Sequence, residues 1–371
     1  MTPSRTIRSG STLLATAILV AACGNSAATS APTTAATGAA PSTAATGGAS
    51  GPVSLTGAGA SFPEPIYAEW IDGYKAVGPN VTINYQGIGS GGGREQFIAQ
   101  SLEFAGSDAF MKPEEVTAAL QARACKDVLH IPTVFGGVAI AYNVEGLDKL
   151  TLDGPTIAKI GLGTITKFND PAIAALNPGV TLPDDAITFV HRSDSSGTTN
   201  IFTTYLADVS PEWATSPGKG STVEWPVGVG GDQNDGVAAA IAQQPGGLGY
   251  VSYEFAVESG LQVADVVNKD GKAITPSTDS VAAAATSITI PDDFKFAVLQ
   301  VGGDGYPIVG ATWILAYTCK MDAAKADALK AFLTWAITDG DAKAKELNYA
   351  PLPDALQTRV LPVIQRINEE G

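Results

Sequence analysis

Short apolar segments alternate with segments of helical periodicity along most of the chain, and this alternation limits the folds that the chain can adopt. The apolar segments are nearly continuous in apolar character, as in strands of a sheet that is covered on both faces. Strands are predicted over residues 81–86, 128–134, 137–143, 187–190 and 313–317. Helices are predicted over residues 63–74, 94–102, 113–123, 200–208, 235–242 and 323–338. Strands and helices interleaved in this way are typical of an α/β fold.

The composition narrows the class of protein further. The chain has 371 residues, enough for two domains, and 45% of them are hydrophobic whereas 16% are charged, which excludes a disordered chain. The 37 acidic residues outnumber the 22 Lys and Arg residues, and the formal net charge is -15. No basic face for nucleic acid is expected, and 2 His and 3 Cys argue against a zinc enzyme. We therefore expect no nucleic-acid partner, no metal and no cofactor.

The first residues have the form of an export signal. Arg5 and Arg8 precede an apolar run over residues 13–22 that is too short to span a bilayer. The run ends as Val20-Ala21-Ala22-Cys23, which resembles the lipobox of bacterial lipoproteins. This resemblance implies a signal peptide over residues 1–22, acylation of the Cys23 sulfur with palmitate, and an anchor on the outer side of the plasma membrane. The alternative is a buried cysteine in an apolar helix.

A low-complexity segment separates this signal from the rest of the chain. Residues 24–52 contain only Ala, Thr, Ser, Gly, Pro and one Asn, so they carry no charge and no large apolar side chain. Such a segment cannot form a core and predicts a flexible tether. We therefore assign residues 23–52 to a lipidated linker and expect the folded body to begin near Val53.

Three segments of the folded body share one pattern: a strand, then small polar residues, then a helix. They lie at residues 57–63, 87–94 and 192–200. The first turn of a helix has unpaired N–H groups and a partial positive charge, so each segment can hold an anion. A plain helix cap at Ser61 is the alternative for the first segment. Gly87, Gly89 and Gly92 also fit the dinucleotide pattern, but the segment 104–111 does not predict a strand that ends at Asp108.

The third segment supplies a cation. Arg192 precedes a turn with Asp194 and Ser196, so its guanidinium and several helix N–H groups can face one point. A surface salt bridge between Arg192 and Asp194 is the simpler alternative. A hydrolase built on His191 is disfavoured, because neighbouring residues of a strand point to opposite faces. His130, in an apolar strand, is interpreted as a core or edge histidine.

Many ordered motifs together give the folded body a family resemblance. They lie at residues 55–63, 85–93, 106–108, 135–137, 192–198, 221–226, 234–236, 249–251 and 349–353. Through them the chain resembles the PstS family, the phosphate-binding proteins of bacterial high-affinity phosphate ABC importers. The resemblance implies an α/β fold of the type II periplasmic-binding class, in which two lobes with central mixed sheets are joined by crossover strands. It also implies a monomer that is not an enzyme and that delivers phosphate to a membrane-embedded ABC permease with a cytoplasmic ATPase.

The resemblance also implies a set of ligand-binding residues. Carried over position by position, the phosphate-binding residues are Ser61, Phe62, Ser90, Asp108, Arg192, Ser196, Gly197 and Thr198, with Asp194 supporting Arg192. Two positions depart from the family pattern, because Gly91 stands where a second serine is frequent and Ser195 where glycine is frequent. Both adjoin the expected contacts and affect the fine geometry more than the class of ligand.

Asp108 needs a physical explanation, since a carboxylate beside a phosphate dianion is repulsive. It becomes favourable if it accepts the proton that phosphate carries and sulfate lacks. Asp108 is therefore predicted to select protonated phosphate over sulfate. Two other functions stay open: a binder of another oxyanion, and an extracellular phosphoryl-transfer enzyme.

The lobes are expected to be discontinuous in sequence. Residues 53–138 and 296–371 are predicted to form one lobe, and residues 139–295 the other, with the ligand held between them. Cys125 and Cys319 would both lie in the first lobe. In an exported protein they can form a disulfide, with two buried free thiols as the alternative.

Overall fold

A computed structural model of the chain describes residues 51–371. The strands are β1 (Val53–Gly59), β2 (Val81–Gly87), β3 (Phe104–Ser107), β4 (Val128–Asn143), β5 (Thr151–Asp153), β6 (Thr188–Arg192), β7 (Val229–Gly231), β8 (Gly247–Ser252), β9 (Gln262–Val263), β10 (Asp265–Val267), β11 (Ala273–Ile274), β12 (Val309–Tyr317) and β13 (Ala350–Pro351). The helices are α1 (Glu64–Tyr74), α2 (Gly89–Ile98), α3 (Pro113–Arg123), α4 (Gly154–Gly161), α5 (Pro171–Leu176), α6 (Gly197–Val209), α7 (Pro211–Thr215), α8 (Gln233–Gln243), α9 (Tyr253–Glu258), α10 (Thr278–Thr286), α11 (Ala323–Ile337), α12 (Asp341–Glu346) and α13 (Asp354–Gln365). The predicted α/β class is confirmed. The signal peptide predicted over residues 1–22, Cys23 and most of the linker lie outside the described residues.

One mixed sheet forms the centre of the fold. Its strands follow the order β2-β1-β3-β12-β4-β8-β6-β7, and β9 and β13 also pair with β4. β1 is parallel to β2 and β3, β12 is antiparallel to β3 and β4, and β8 is antiparallel to β4 and parallel to β6. A smaller sheet joins β11, β10 and β5. Because β1, β2 and β3 are parallel, the loops that follow them meet at one edge of the sheet.

The long strand β4 corrects one prediction. Residues 128–143 form a single strand, whereas the sequence predicts two strands that are separated at residues 135 and 136. Its first part, up to Gly137, pairs with β12, and its second part, from Val138, pairs with β8. A Cβ atom on Gly136 would lie 2.4 Å from the ring of Phe62. The glycine therefore interrupts the apolar pattern because Phe62 packs against the backbone there, and not because the chain turns.

Among the boundaries that differ from the predictions, three lie next to predicted site residues. β3 is a strand over residues 104–107 and ends directly before Asp108, contrary to the expectation for this segment. Its four residues are all buried, three of them small, so the strand is too short and too uniform to give a periodic signal. α2 begins at Gly89 and not at residue 94, and α6 begins at Gly197 and not at residue 200. Glycine lowers helix propensity, so neither start was predicted. The close contacts of Gly91 in α2 and of Gly197 in α6 explain why the first turns of these helices contain glycine.

The core lies on both faces of the sheet. β4, β8 and β12 are buried along nearly their whole length, as central strands covered by helices must be. Cys125 and Cys319 are joined by a disulfide with a Cα–Cα distance of 5.5 Å, which links the loop before β4 to the end of β12. Within residues 51–371, none of the helices combines the length and the apolar character that a membrane span requires.

Candidate functional site

The structure places one group of predicted site residues directly after the parallel strands β1, β2 and β3. Ser61 and Phe62 follow β1, and Ser90 lies in the first turn of α2, after β2. Asp108 follows β3. Since the carboxyl ends of these strands share one edge of the sheet, the four residues form one wall of a site. We call this wall the Asp108 wall.

The second group comes from the end of β6 and the start of α6. Arg192 is the last residue of β6, and Ser196 is the N-cap of α6, where its hydroxyl accepts a hydrogen bond from the Thr199 N–H at 3.1 Å. Gly197 and Thr198 open the helix. We call this group, together with Asp194, the Arg192 wall.

The two walls are in contact and buried. A Cβ atom on Gly197 would lie 2.3 Å from both the Asp108 Oδ2 and the Ser90 Oγ atoms. The structure therefore brings all the predicted residues together, and Gly197 is there because a side chain would push the walls apart. The predicted ligand-binding residues, Ser61, Phe62, Ser90, Asp108, Arg192, Ser196, Gly197 and Thr198, are all buried.

Arg192 makes three side-chain hydrogen bonds on its own wall. Its Nε donates to Asp194 Oδ1 at 2.6 Å, and its Nη2 donates to Asp194 Oδ2 at 2.5 Å. Its Nη1 donates to Thr198 Oγ1 at 3.3 Å. The Arg192 side chain is 1% exposed, so the alternative of a surface salt bridge is wrong. The carboxylate fixes the plane of the guanidinium and leaves it oriented toward Thr198.

Asp108 has an incomplete set of contacts. Its backbone N–H donates to Ser90 Oγ at 3.1 Å, and the Ser90 hydroxyl donates to its Oδ2 at 3.4 Å. Its Oδ1 is buried and has no hydrogen-bond partner among the described residues. Burial raises the pKa of the Asp108 carboxyl to about 7, although the positive charge of Arg192 and the Ser90 hydroxyl oppose the increase. At neutral pH the protonated and the ionised forms of this carboxyl are therefore populated to a similar extent.

Asn234 joins the two walls and was not among the predicted site residues. Its Nδ2 donates to Ser61 Oγ at 3.1 Å and to Thr198 Oγ1 at 3.2 Å. Its Oδ1 accepts from the backbone N–H of Ser252 at 3.1 Å, so the amide is satisfied and its orientation is fixed. Asn234 also follows a strand, β7, and lies in the first turn of a helix, α8. The same strand-then-helix pattern was not recognised in the sequence because β7 has only three residues.

The two departures from the family pattern lie against each other. A Cβ atom on Gly91 would lie 2.1 Å from the Ser195 Oγ atom, and the Gly91 N–H donates to the Ser195 carbonyl at 2.9 Å. The space that a serine at position 91 would occupy therefore holds the side chain of Ser195. One departure compensates for the other, and this contact is a second place where the two walls meet.

A second buried carboxyl lies behind Asn234. Glu254 accepts a hydrogen bond from the Ser252 hydroxyl through Oε1, while its Oε2 has no partner among the described residues. Burial raises the pKa of Glu254 to about 8, with the hydrogen bond from the Ser252 hydroxyl acting in the opposite direction. The contacts thus run from Glu254 through Ser252 and Asn234 to both walls. No sequence motif pointed to Glu254.

The two histidines lie apart from this arrangement. His191 stacks on Trp225 with a centroid distance of 4.8 Å, and its Nδ1 contacts the carbonyl of Arg192. His130 is buried, and its Nε2 accepts from the N–H of Met111 at 3.1 Å. Within residues 51–371, no group of three or more His, Cys, Asp or Glu side chains is arranged to hold a metal ion.

Comparison with known proteins defines first the class and then the family. A family model described as a PBP superfamily domain matches residues 5–340, so the chain belongs to the PBP superfamily. The phosphate-binding protein PstS of Pasteurella multocida is 41% identical over 315 residues, which cover 83% of this chain and 88% of the relative. The phosphate-binding protein PstS 3 of Mycobacterium leprae is 36% identical over 359 residues, 94% of this chain and 95% of the relative. The chain belongs to the PstS family of phosphate-binding proteins.

Solved structures agree in fold. The high-affinity periplasmic phosphate-binding protein PfluDING, solved with phosphate bound, has a TM-score of 0.69 at 23% identity and covers 83% of this chain and 93% of its own. A phosphate-binding protein from Stenotrophomonas maltophilia has a TM-score of 0.68 at 22% identity, with coverage of 84% and 93%. The predicted two-lobed periplasmic-binding fold is confirmed, and the strand β4 joins the half of the central sheet that contains β12 to the half that contains β8.

Proposed function

We propose that this protein is an extracytoplasmic solute-binding protein that captures inorganic phosphate between its two walls and delivers it to an ABC importer. The observation that carries the proposal is the buried Oδ1 of Asp108, which has no partner within residues 51–371 and lies in a site otherwise rich in donors. The relatives named above are phosphate-binding proteins. PfluDING was solved with phosphate bound.

The donors of the site suit a tetrahedral oxyanion. Hydroxyl groups come from Ser61, Ser90, Ser196 and Thr198, and the guanidinium comes from Arg192. The N–H groups at the start of α6 have no carbonyl partner one turn earlier, so they add the partial positive charge of a helix N-terminus. In this proposal, the backbone N–H of Phe62 completes the set. Because Asp194 balances the charge of Arg192, the anion is held mainly by oriented dipoles and directed hydrogen bonds.

Asp108 gives this cradle its selectivity in the proposal. Monohydrogen and dihydrogen phosphate carry a proton that Oδ1 accepts, whereas sulfate at neutral pH carries none. With sulfate, two acceptors would face each other in a buried site, at a cost of about 1–3 kcal/mol or more for the unmade hydrogen bond. A carboxyl whose pKa is near 7 suits this role, because proton sharing with phosphate is then nearly balanced.

Binding between lobes implies closure. We propose the lobe boundaries at residues 53–138 with 296–371, and 139–295. The change of partner along β4, from β12 to β8 at residues 137 and 138, supports a crossover at this point. Phosphate contacts both walls and so favours the state in which they meet. Small-angle scattering of the ligand-stripped protein is expected to show a more compact particle after phosphate is added, and an unchanged radius of gyration would contradict closure.

The proposal extends to the cell surface. Cleavage before Cys23 and acylation of its sulfur would anchor the protein on the outer side of the plasma membrane, with residues 24–52 as a tether. The protein would then act as a monomer beside a membrane-embedded permease and its cytoplasmic ATPase. Mass spectrometry of the membrane fraction checks the acylation, and a Cys23→Ala variant is expected to be released from the membrane.

Titration calorimetry of ligand-stripped protein with phosphate and sulfate tests the function. We expect tight binding of phosphate and binding of sulfate that is weaker by at least ~10-fold, or ~1.4 kcal/mol, which lies within the cost of about 1–3 kcal/mol for an unmade buried hydrogen bond. Tighter binding of sulfate would favour a binder of another oxyanion. Release of phosphate from a phosphate monoester by the same sample would favour the phosphoryl-transfer enzyme.

A further inference from the structure

A cavity of about 330 Å³ lies directly beside Asp108. Its lining includes three cations, Arg94, Lys112 and Lys219, and Asp108 is the only acidic residue that lines it among the described residues. Over the whole chain the balance is reversed, with 37 acidic residues against 22 Lys and Arg residues. An anion that approaches this protein therefore meets a repulsive net charge everywhere except near such a local concentration of cations.

Lys112 and Lys219 lie at the opening of this cavity, since both line it and both are exposed. Neither forms an ion pair within residues 51–371. Arg94 differs, because it is buried and its Nε contacts both carboxylate oxygens of Glu115, at 3.2 and 3.1 Å. The two lysines therefore carry the uncompensated positive charge of the cavity.

Hydrogen bonds fix the backbone at Lys112 and next to Lys219. The N–H of Lys112 donates to Glu115 Oε2 at 2.7 Å at the start of α3. Next to Lys219, the N–H of Gly220 donates to Thr203 Oγ1 at 3.1 Å. The carbonyl of Ser221, one residue further, accepts from the N–H of Ser196, the N-cap of the Arg192 wall, at 2.9 Å. The segment of Lys219 is thus connected to the Arg192 wall, and Lys112 lies four positions after Asp108 in sequence.

We propose that this cavity is the entry route for phosphate and that Lys112 and Lys219 steer the anion toward Asp108. The inference rests on the proposed function. The apolar part of the lining, which includes Phe110 and Trp313, keeps the dielectric constant low and so extends the field of the two ammonium groups into the cavity. The lysines attract the approaching anion and the bound anion to a similar extent, so their loss is expected to lower the association rate and raise the Kd by the same factor, whereas the buried donors set the dissociation rate.

The test is a Lys112→Gln/Lys219→Gln double variant. The Kd for phosphate is measured by calorimetry, and the dissociation rate by exchange of bound radiolabelled phosphate against excess unlabelled phosphate, so that their ratio gives the association rate. At low ionic strength we expect the association rate to fall about three- to tenfold with an unchanged dissociation rate. At roughly 0.5 M salt the difference is expected to disappear, because the Debye length is then shorter than the distance over which steering acts.

A matched control separates position from net charge. Lys159 and Lys345 are also exposed, form no ion pair within residues 51–371 and lie outside the cavity lining, so Lys159→Gln/Lys345→Gln changes the net charge equally. An equal loss of association rate in both double variants would overturn the inference. So would an unchanged association rate, or an effect confined to dissociation. If the wild-type protein bound no phosphate, the proposed function would fail instead.

Discussion

The two walls of the site treat their charged groups in opposite ways. On the Arg192 wall, the guanidinium is buried with a bidentate carboxylate partner and a third hydrogen bond to Thr198. On the Asp108 wall, and behind it at Glu254, a carboxyl is buried with one oxygen that has no partner among the described residues. Burial raises the pKa of both carboxyls, to about 7 and about 8.

This difference indicates that the two walls contribute differently to affinity and to selectivity. A buried guanidinium whose charge is balanced by a bidentate carboxylate keeps a fixed orientation and a fixed array of donors, so the Arg192 wall suits affinity. A carboxyl that is short of a partner takes up a proton or finds a ligand that brings one, so the Asp108 wall suits selectivity. The predictions below test this division, from the largest expected effect to the smallest.

Removing the paired charge from the Arg192 wall is expected to weaken phosphate binding most. In the double variant Arg192→Met/Asp194→Asn, both members of the pair become neutral, so no uncompensated charge remains buried. The loss of the guanidinium donors is expected to raise the Kd for phosphate by about 1,000-fold, or ~4 kcal/mol, in calorimetry. The phosphate-to-sulfate ratio is expected to change far less, because these donors bind both anions.

Arg192→Lys is the companion variant. It keeps the charge and loses the planar fork, so its Kd is expected to lie between those of the wild type and the double variant. A thermal melt checks that each variant is folded. A double variant that binds phosphate like the wild type would show that the Arg192 wall does not determine affinity.

The contact between the walls gives the second prediction. In Gly91→Ser, the new Cβ atom would lie 2.1 Å from Ser195 Oγ, so the walls cannot meet unless Ser195 moves. We expect the Kd for phosphate to rise about 30-fold, or ~2 kcal/mol. In Gly91→Ser/Ser195→Gly the space is free again, and the affinity is expected to return to within about threefold of the wild type. Additive effects in this double-mutant cycle would mean that the two positions do not compensate each other.

The coupling of these two positions shows what the sequence could and could not predict. The strand-then-helix pattern singled out three candidate anion-binding segments, and the structure brings residues of all three together. That Gly91 and Ser195 compensate each other was not predictable, because they are 104 positions apart in sequence and only the closed packing of α2 against the turn before α6 brings them together.

Asn234 and Glu254 were not predicted as site residues for a related physical reason. β3 and β7 have four and three residues, too few to show a period, so no strand was predicted before Asp108 or Asn234. Glu254 lies at the start of a six-residue helix in an ordinary-looking segment, and its importance comes entirely from burial. Burial in tertiary contacts is the property that local patterns predict least.

The third prediction concerns the selectivity of the Asp108 wall. Asp108→Asn keeps the size of the side chain and replaces one acceptor oxygen with a donor NH₂ group. Phosphate loses the acceptor for its proton but also loses a repulsive charge, whereas sulfate gains on both counts. We expect the phosphate-to-sulfate affinity ratio to fall by at least ~10-fold, or ~1.4 kcal/mol, in calorimetric titrations of both anions.

Asp148→Asn serves as the control for the loss of one negative charge, since Asp148 is exposed and distant in sequence from both walls. The phosphate-to-sulfate affinity ratio of Asp148→Asn is expected to equal that of the wild type. An unchanged ratio in Asp108→Asn would rule out proton acceptance by Asp108, even if the protein binds phosphate tightly.

The smallest expected effect is the pH dependence that Glu254 contributes. With a pKa of about 8, the ligand-free Glu254 carboxyl is mostly protonated at neutral pH and ionises as the pH rises further. The new charge lies behind Ser252 and Asn234, close enough to oppose a bound dianion. We expect the Kd of the wild type to rise about threefold between roughly pH 7 and roughly pH 9, beyond any change that Glu254→Gln shows over the same range.

The same group should affect folding with a defined sign. Burial raises the folded-state pKa of Glu254 from its ordinary value of 4.5 to about 8, so between these values the folded protein holds more protons than the unfolded chain. Stability is then greatest at the acidic end of this window and is lost as the pH rises through 8. Urea unfolding of Glu254→Gln is expected to show a weaker decline than the wild type, whereas Glu258→Gln, an exposed change on α9, should match the wild type. Equal pH dependence in all three proteins would show that Glu254 is already paired, and the contrast between the two walls would then rest on Asp108 alone.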